Sequence, residues 1–354
     1  MAIQPADGVD NLDALYAAAE ELSLDALWRI AHKVLHPEPR PAMQAYHWPW
    51  SKVRPLMLRA GELVDLEHGA ERRVLVLLNP GLPGRYGTTH TLVAAIQLIK
   101  PGEIAPTHRH TPAAIRLIIE GEGAYTTVEG EKCLMQVGDL ILTPSMTWHD
   151  HGNESDGPML WLDGLDVPFV RSLETIFFDP YPDERQPVGK PVDYSLRKYR
   201  AGHLRPSWDR PRGAGAPLLT YRWSDTATAL RHLAEVELSP HDGAMVEYVN
   251  PHTGGYTLPT IGCAAQLLPA GWRGRPHRHT ASVIYHVVAG HGTTVVAGQR
   301  FDWAPGDCFT VPPWSWHEHA CAPDADAYLF VLHDEPILAP FGLLREEAQP
   351  GPAV

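Results

Sequence analysis

The sequence predicts a mainly β protein built of two similar barrels in tandem. Three observations carry this reading. First, the stretch PGEIAPTHRHT followed by VGDLILTPSMTWHDHGN returns as PAGWRGRPHRHT followed by PGDCFTVPPWSWHEHA. His108 and His277 lie 169 residues apart and His149 and His317 lie 168 apart, so the two copies keep step. Second, from about residue 72 the apolar runs are short, and Gly, Pro and Asn cut them every 8 to 12 residues. That is the rhythm of a sandwich or barrel. Third, 34 of 354 residues are proline, about double the usual ~5%, which excludes a chain of mostly long helices.

The elements follow in chain order. Leu12, Leu15, Ala19 and Leu22 recur at helical spacing, and Ser23 is placed to N-cap a second helix carrying Leu27 and Trp28. Helix is thus expected across residues 10–36, until Pro37, Pro39 and Pro41 stop it. Residues 1–71 read as an N-terminal helical arm. TLVAAIQLI, AIRLIIEG, GDLILTP and PMLWLDGL read as strands of a first barrel over residues 72–178. Residues 179–236 read as a Pro-rich linker, with seven prolines between 180 and 217 and a helix near 224–236 that Ser224 would N-cap. A second barrel fills residues 237–340, and 341–354 reads as a loose tail.

Composition narrows the function classes. There are 29 Lys and Arg against 42 Asp and Glu, a net charge of −13, which suits neither nucleic acid nor an anionic membrane. Apolar residues make up 44% of the chain, enough for a globular core. The four cysteines show no CxxC spacing, which argues against a disulfide framework and against a thiolate zinc site. The first residues lack the basic and apolar regions of a leader peptide, and no apolar run approaches 18 residues. The expected location is the cytoplasm.

The histidines carry the chemistry. His108 and His110 alternate around Arg109, so a strand places both imidazoles on one face. His149 follows a Gly-Asp turn and a strand ending at Pro144, and a sheet folding back brings it beside the pair. Three converging imidazoles suit zinc, copper, iron or nickel. His277, His279 and His317 repeat the pattern, with His319 beside them, and mark a possible second metal site. Arg116 shares strand parity with His110, and a buried Arg needs an anion: either a ligand carboxylate or an ion pair with Glu120. The equivalent position in the second copy is Tyr285. Only one of the adjacent Arg72 and Arg73 can point inward. His151 shares parity with His149 and is either a proton acceptor or an ordinary hydrogen-bond partner. Gln97, Ala95 and Val93 alternate along one strand face, as cavity wall or as core. Asp163 either orients a neighbour or caps a turn.

These motifs resemble the cupin superfamily, which places a Gly before H-x-H and a later Gly and Pro before the third His. The Glu that usually follows the second His is missing; Ala114 and Ile115 stand there. AERRVLVLLNPGL, THTLVAAIQLIKPGE, APTHRHTPAAIRLIIEGEGAYT, TPSMTWHDHGN and WLDGLDVP are similar to gentisate 1,2-dioxygenases and their salicylate and 1-hydroxy-2-naphthoate relatives. The similarity covers about residues 45–335 and is strongest in the first barrel. It implies a bicupin of two double-stranded β-helix (jelly-roll) barrels, usually tetrameric, with iron(II) on His108, His110 and His149. It also implies Arg116 and Arg72 as carboxylate anchors, Val93 and Ala95 as pocket wall, and catalytic roles for Arg116, Arg72 and His151. The implied activity is ring cleavage of a hydroxylated aromatic acid by O2, most directly gentisate to maleylpyruvate, with salicylate or 1-hydroxy-2-naphthoate as alternatives. Met146 stands where the family often has Trp, and Val93 where an aromatic is common; both reshape the pocket. A zinc hydrolase or isomerase on the same histidines, and a non-catalytic ligand-binding bicupin, are the competing readings.

Overall fold

The computed structural model describes residues 11–64, 72–201, 204–209 and 215–349. Residues 1–10, on which the leader-peptide expectation rests, and the end of the expected tail fall outside the described residues. Residues up to Arg40 form a unit of their own. It holds α1 (Leu12–Glu21), where the Asn11 side chain accepts from Ala14 N at 2.9 Å, and α2 (Leu27–Val34). Ser23 does not cap α2. It takes φ +57°, and its N–H bonds to Glu20 O at 3.0 Å, so it terminates α1; α2 begins after Ala26 with no side-chain cap.

From residue 41 the chain forms a second unit. It opens with β1 (Tyr46–Trp48) and α3 (Trp50–Leu63), then runs β2 (Arg73–Val76), β3 (Val93–Ile99), β4 (Ile104–His110), β5 (Ala114–Glu120) and β6 (Ala124–Val128). Next come β7 (Glu131–Leu134), β8 (Leu140–Thr143), β9 (His149–Asn153), β10 (Met159–Leu165), α4 (Val167–Ser172), β11 (Phe178–Pro180) and α5 (Tyr194–Tyr199). The second half begins with β12 (Thr220–Tyr221) and α6 (Trp223–Val236). It continues through β13 (Ala244–Glu247), β14 (Gly262–Leu268), β15 (His277–His279), β16 (Val283–Ala289), β17 (Gly292–Val296) and β18 (Gln299–Trp303). It ends with β19 (Cys308–Val311), β20 (His317–Cys321), β21 (Ala327–His333), α7 (Glu335–Leu338) and β22 (Glu346–Ala348).

Each barrel has a six-stranded and a five-stranded sheet. The first uses β12-β8-β5-β10-β3-β2 and β11-β4-β9-β6-β7; the second uses β1-β19-β16-β21-β14-β13 and β18-β17-β20-β15-β22. The orders correspond strand for strand, but the short leading strands are exchanged. β1 precedes the first barrel and pairs with β19 of the second; β12 precedes the second barrel and pairs with β8 of the first. The arm is therefore not wholly helical, and the end of the linker is the second repeat's own leading segment. β11, which straddles the expected boundary between first barrel and linker, and β22, within the expected tail, dock equivalently beside β4 and β15.

The repeated Gly-Asp motif clasps the exchanged segments. Trp50 opens α3 and its N–H donates to Asp307 Oδ1 at 2.7 Å; Trp223 opens α6 and its N–H donates to Asp139 Oδ1 at 2.9 Å. Each aspartate caps a helix that belongs to the other repeat. A cap of this kind contributes about 1 kcal/mol. The preceding glycines have φ +88° at Gly306 and +85° at Gly138. A Cβ there would lie 2.4 Å from Trp50 Cγ and 2.5 Å from Trp223 Cγ. Only glycine satisfies both demands. Ser224 is thus the second residue of α6, not its N-cap, and the capping carboxylate comes from Asp139.

The two six-stranded sheets pack face to face. On β3, Ala94, Ile96 and Leu98 join one cluster with Cys263, Ala265 and Leu267 of β14. The alternate residues of β3 face their own barrel. Both faces are buried, which is why VAAIQLI reads as a continuous apolar run rather than an alternating one. The four cysteines are free and buried. Among the described residues no helix is long and apolar enough to cross a membrane.

Candidate metal centre

Strand alternation builds the site. His108 and His110 leave β4 on its inner face, while Arg109 between them turns outward to Asp179 at 2.8 Å and over the Trp148 ring. His149 is the register partner of His108 on β9. The rings stand 4.6 Å (His108–His149), 4.8 Å (His110–His149) and 5.3 Å (His108–His110) apart between centroids. One nitrogen from each lies within 4.8 Å of the others.

Two of the rings have their tautomer set by the backbone. His110 Nδ1 is 2.7 Å from Pro112 O and His149 Nδ1 is 3.0 Å from Thr147 O. A carbonyl only accepts, so Nδ1 carries the proton and Nε2 offers its lone pair inward. Burial and the neighbouring guanidiniums push His108 down to about 2, burial pushes His110 down to about 4, and burial holds His149 well below the usual range. All three are neutral, the form that ligates a metal. The His110 and His149 tautomers therefore fit a divalent ion.

Around the triad lies a cavity of about 210 Å³. Val93, Ala95 and Gln97 line it from β3, and Asp163 and Leu165 from β10. Arg72 and Val74 face it, and Arg72 Nη1 lies 2.9 Å from His108 Nδ1. Arg73 faces the other way and is bound to Glu103 and to Val64 O. Tyr86, partly exposed, stands at the wall with Val167.

Arg116 is 3% exposed and reaches the same cavity. Its partner is not Glu120, which instead receives Trp50 Nε1 and Arg54. Asp163 is its cross-strand neighbour, with Arg116 Nε 3.2 Å from Asp163 Oδ1, while Nη1 bonds to Thr143 Oγ1. Burial raises the Asp163 carboxyl, and the Arg116 charge opposes that rise. Asp163 also accepts from Trp161 Nε1 at 3.0 Å. Arg72 and Arg116 bring two guanidiniums to the wall next to a cation site. An anionic ligand satisfies both.

His151 is placed differently. It is fully buried, its Nδ1 lies 2.9 Å from Thr126 Oγ1, and its ring is 5.9 Å from His149, behind the residues that line the cavity. The residues that sequence reading missed are Val74, Tyr86, Leu165, Val167, Thr126 and Thr143. Strand parity with Arg72 marks Val74 and parity with Asp163 marks Leu165; Tyr86 comes from a loop, Val167 from the start of α4, and Thr126 and Thr143 from cross-strand register, which no local pattern reveals.

The second barrel repeats the triad. His277, His279 and His317 each bring a nitrogen within 4.8 Å of the others. His279 Nδ1 is 2.9 Å from Ala281 O, His317 Nδ1 is 3.0 Å from Ser315 O, and His319 Nδ1 is 2.8 Å from Thr294 Oγ1.

Residues 95–165 and 265–333 each match the Cupin domain family. The chain is 42% identical over 350 residues to a 5-aminosalicylate 1,2-dioxygenase of Comamonas sp, covering 97% of this chain and 92% of that one. It is 40% identical to a gentisate 1,2-dioxygenase of Streptomyces sp, covering 94% of both. A crystal structure of salicylate 1,2-dioxygenase from Pseudoaminobacter salicylatoxidans with gentisate superposes with a TM-score of 0.91 at 34% identity, covering 99% of this chain and 97% of that one.

Proposed function

The chain belongs to the gentisate 1,2-dioxygenase family of bicupins, and from that premise we propose that it is an iron(II)-dependent, extradiol-type dioxygenase that converts gentisate to maleylpyruvate. The observation that carries this reading is the pairing of an open three-histidine set with two arginines on one cavity wall. His108, His110 and His149 would hold the iron. When bound, iron(II) supplies the Lewis-acid and redox chemistry that lets O2 react with an aromatic ring.

The protein's own residues do the rest. Arg116 and Arg72 receive the substrate carboxylate, and Asp163 and Thr143 hold the Arg116 guanidinium in place. Gln97 offers a hydrogen-bonding amide beside the ring, while Val74, Val93, Ala95 and Leu165 pack against its faces and exclude water. The carbon–carbon bond between the carboxylate-bearing and adjacent hydroxyl-bearing ring carbons breaks, and both oxygen atoms enter the product. His151 acts as a positioning residue for His149. A homotetramer in the cytoplasm is the assembly we expect; the buried free cysteines suit a reducing compartment.

A second substrate, 5-aminosalicylate, is favoured by the 42% identity to a dioxygenase named for it; like gentisate it bears an electron-donating group opposite the hydroxyl. The test is oxygen uptake by iron(II)-loaded protein with gentisate, 5-aminosalicylate, salicylate and 1-hydroxy-2-naphthoate. One O2 consumed per gentisate, abolished in His108→Ala, is the expected result. Faster turnover of 5-aminosalicylate would reassign the substrate, and no uptake with any of the four would overturn the reading.

A further inference from the structure

We propose that the second barrel binds its own divalent first-row metal ion through His277, His279 and His317, with Asp242 as a fourth, carboxylate ligand, and that this ion holds structure rather than substrate. The three rings stand 4.2 Å (His277–His317), 5.0 Å (His279–His317) and 5.7 Å (His277–His279) apart. The carbonyls of Ala281 and Ser315 fix the protons of His279 and His317 on Nδ1, so both Nε2 lone pairs face inward. His317 Nε2 is buried without a hydrogen-bond partner, in a residue 1% exposed. A buried lone pair left without a partner is costly, and a bound cation removes that cost.

Asp242 distinguishes this site from the first. Its Oδ1 lies 3.7 Å from His277 Nε2. The register explains its position. Arg73 pairs with Leu98 on β3, and Ala244 pairs with Leu267, the repeat equivalent of Leu98, on β14. Gly243 therefore occupies the place of Arg72, and Asp242 immediately precedes it. Where the first barrel sets a cation beside its triad, the second sets an anion. The Arg116 position is Tyr285, whose ring stacks on Phe309 at 4.8 Å and 10°, so no guanidinium occupies that position. Three imidazoles and one carboxylate make a four-ligand set that partly neutralises a divalent ion, as structural sites do.

Metal content of the full chain tests this. Protein stripped with a chelator is reloaded with Zn²⁺ or Co²⁺ and the ions per chain are counted. Wild type is expected to hold two, His110→Ala one, His279→Ala one and the double variant none. In Co²⁺-loaded His110→Ala protein, Asp242→Asn is expected to shift the visible absorption bands and weaken Co²⁺ binding at least tenfold. A wild-type count of one with none in His110→Ala would overturn the site. Unchanged bands and affinity in the Asp242→Asn protein would remove the carboxylate and overturn the four-ligand assignment. The Asp242 arm remains decisive if His279→Ala fails to fold.

Discussion

The two histidine triads share ring spacing, strand parity and the backbone carbonyls that orient them, yet their surroundings carry opposite charge. Arg72 and Arg116 stand beside the first; beside the second, Tyr285 takes the place of Arg116, and Asp242, one residue before the equivalent of Arg72, brings a carboxylate. The first triad leaves a divalent ion short of negative charge, and a substrate carboxylate supplies it. The second carries its own anion and fills its interior with stacked rings. Duplicated scaffolding thus serves two ends, and the difference lies in a few side chains rather than in the fold.

The largest effect should come from the first triad itself. His110→Ala is expected to lower kcat for gentisate by about 10³-fold or more, since a catalytic metal supplies several kcal/mol. His279→Ala is expected to cost at least ~100-fold less of that activity, a gap of about 3 kcal/mol, and to show first in metal content. Equal losses in steady-state assays would erase the functional contrast between the barrels.

Next comes the anchoring arginine. Arg116→Met is expected to reduce kcat/KM by about 10²-fold, mostly through KM, and to destabilise the protein by about 3 kcal/mol because Asp163 is left buried without its partner. The double variant Arg116→Met/Asp163→Leu should regain stability in urea titrations but not kcat/KM. Recovery of both would make the pair merely structural.

The clasp at the Gly-Asp motifs tests what the barrels still share. Gly306→Ala and Gly138→Ala should each cost about 3 kcal/mol by denaturant unfolding, combining left-handed strain with collision against a tryptophan. A difference above ~1 kcal/mol between them would show that the clasp has diverged as the sites have. Asp307→Ala and Asp139→Ala should cost less, about 1–2 kcal/mol each, for the lost helix cap. The smallest effect is expected at Arg54, half exposed and paired with Glu120: Arg54→Ala should change stability by less than about 1 kcal/mol.

The sequence by itself determined the duplication, both triads and the parity of Arg116, Gln97, Ala95 and Val93. These rest on local rules: a strand alternates its side chains every two residues, and a repeated spacing needs no partner to be seen. The same local logic misplaced Ser23 and Ser224, because a turn and a distant aspartate took the capping roles. Tertiary structure alone decided the rest. Arg116 meets Asp163, not Glu120, because β5 pairs with β10 and only that register sets them side by side. Asp242 reaches the second triad because β13 adds to β14 in the register of β2 on β3. The exchanged strands β1 and β12 are each followed by a tryptophan that packs on a glycine of the opposite barrel. Such pairings join residues tens to hundreds of positions apart, and their choice depends on the packed alternatives, which no window along the chain contains.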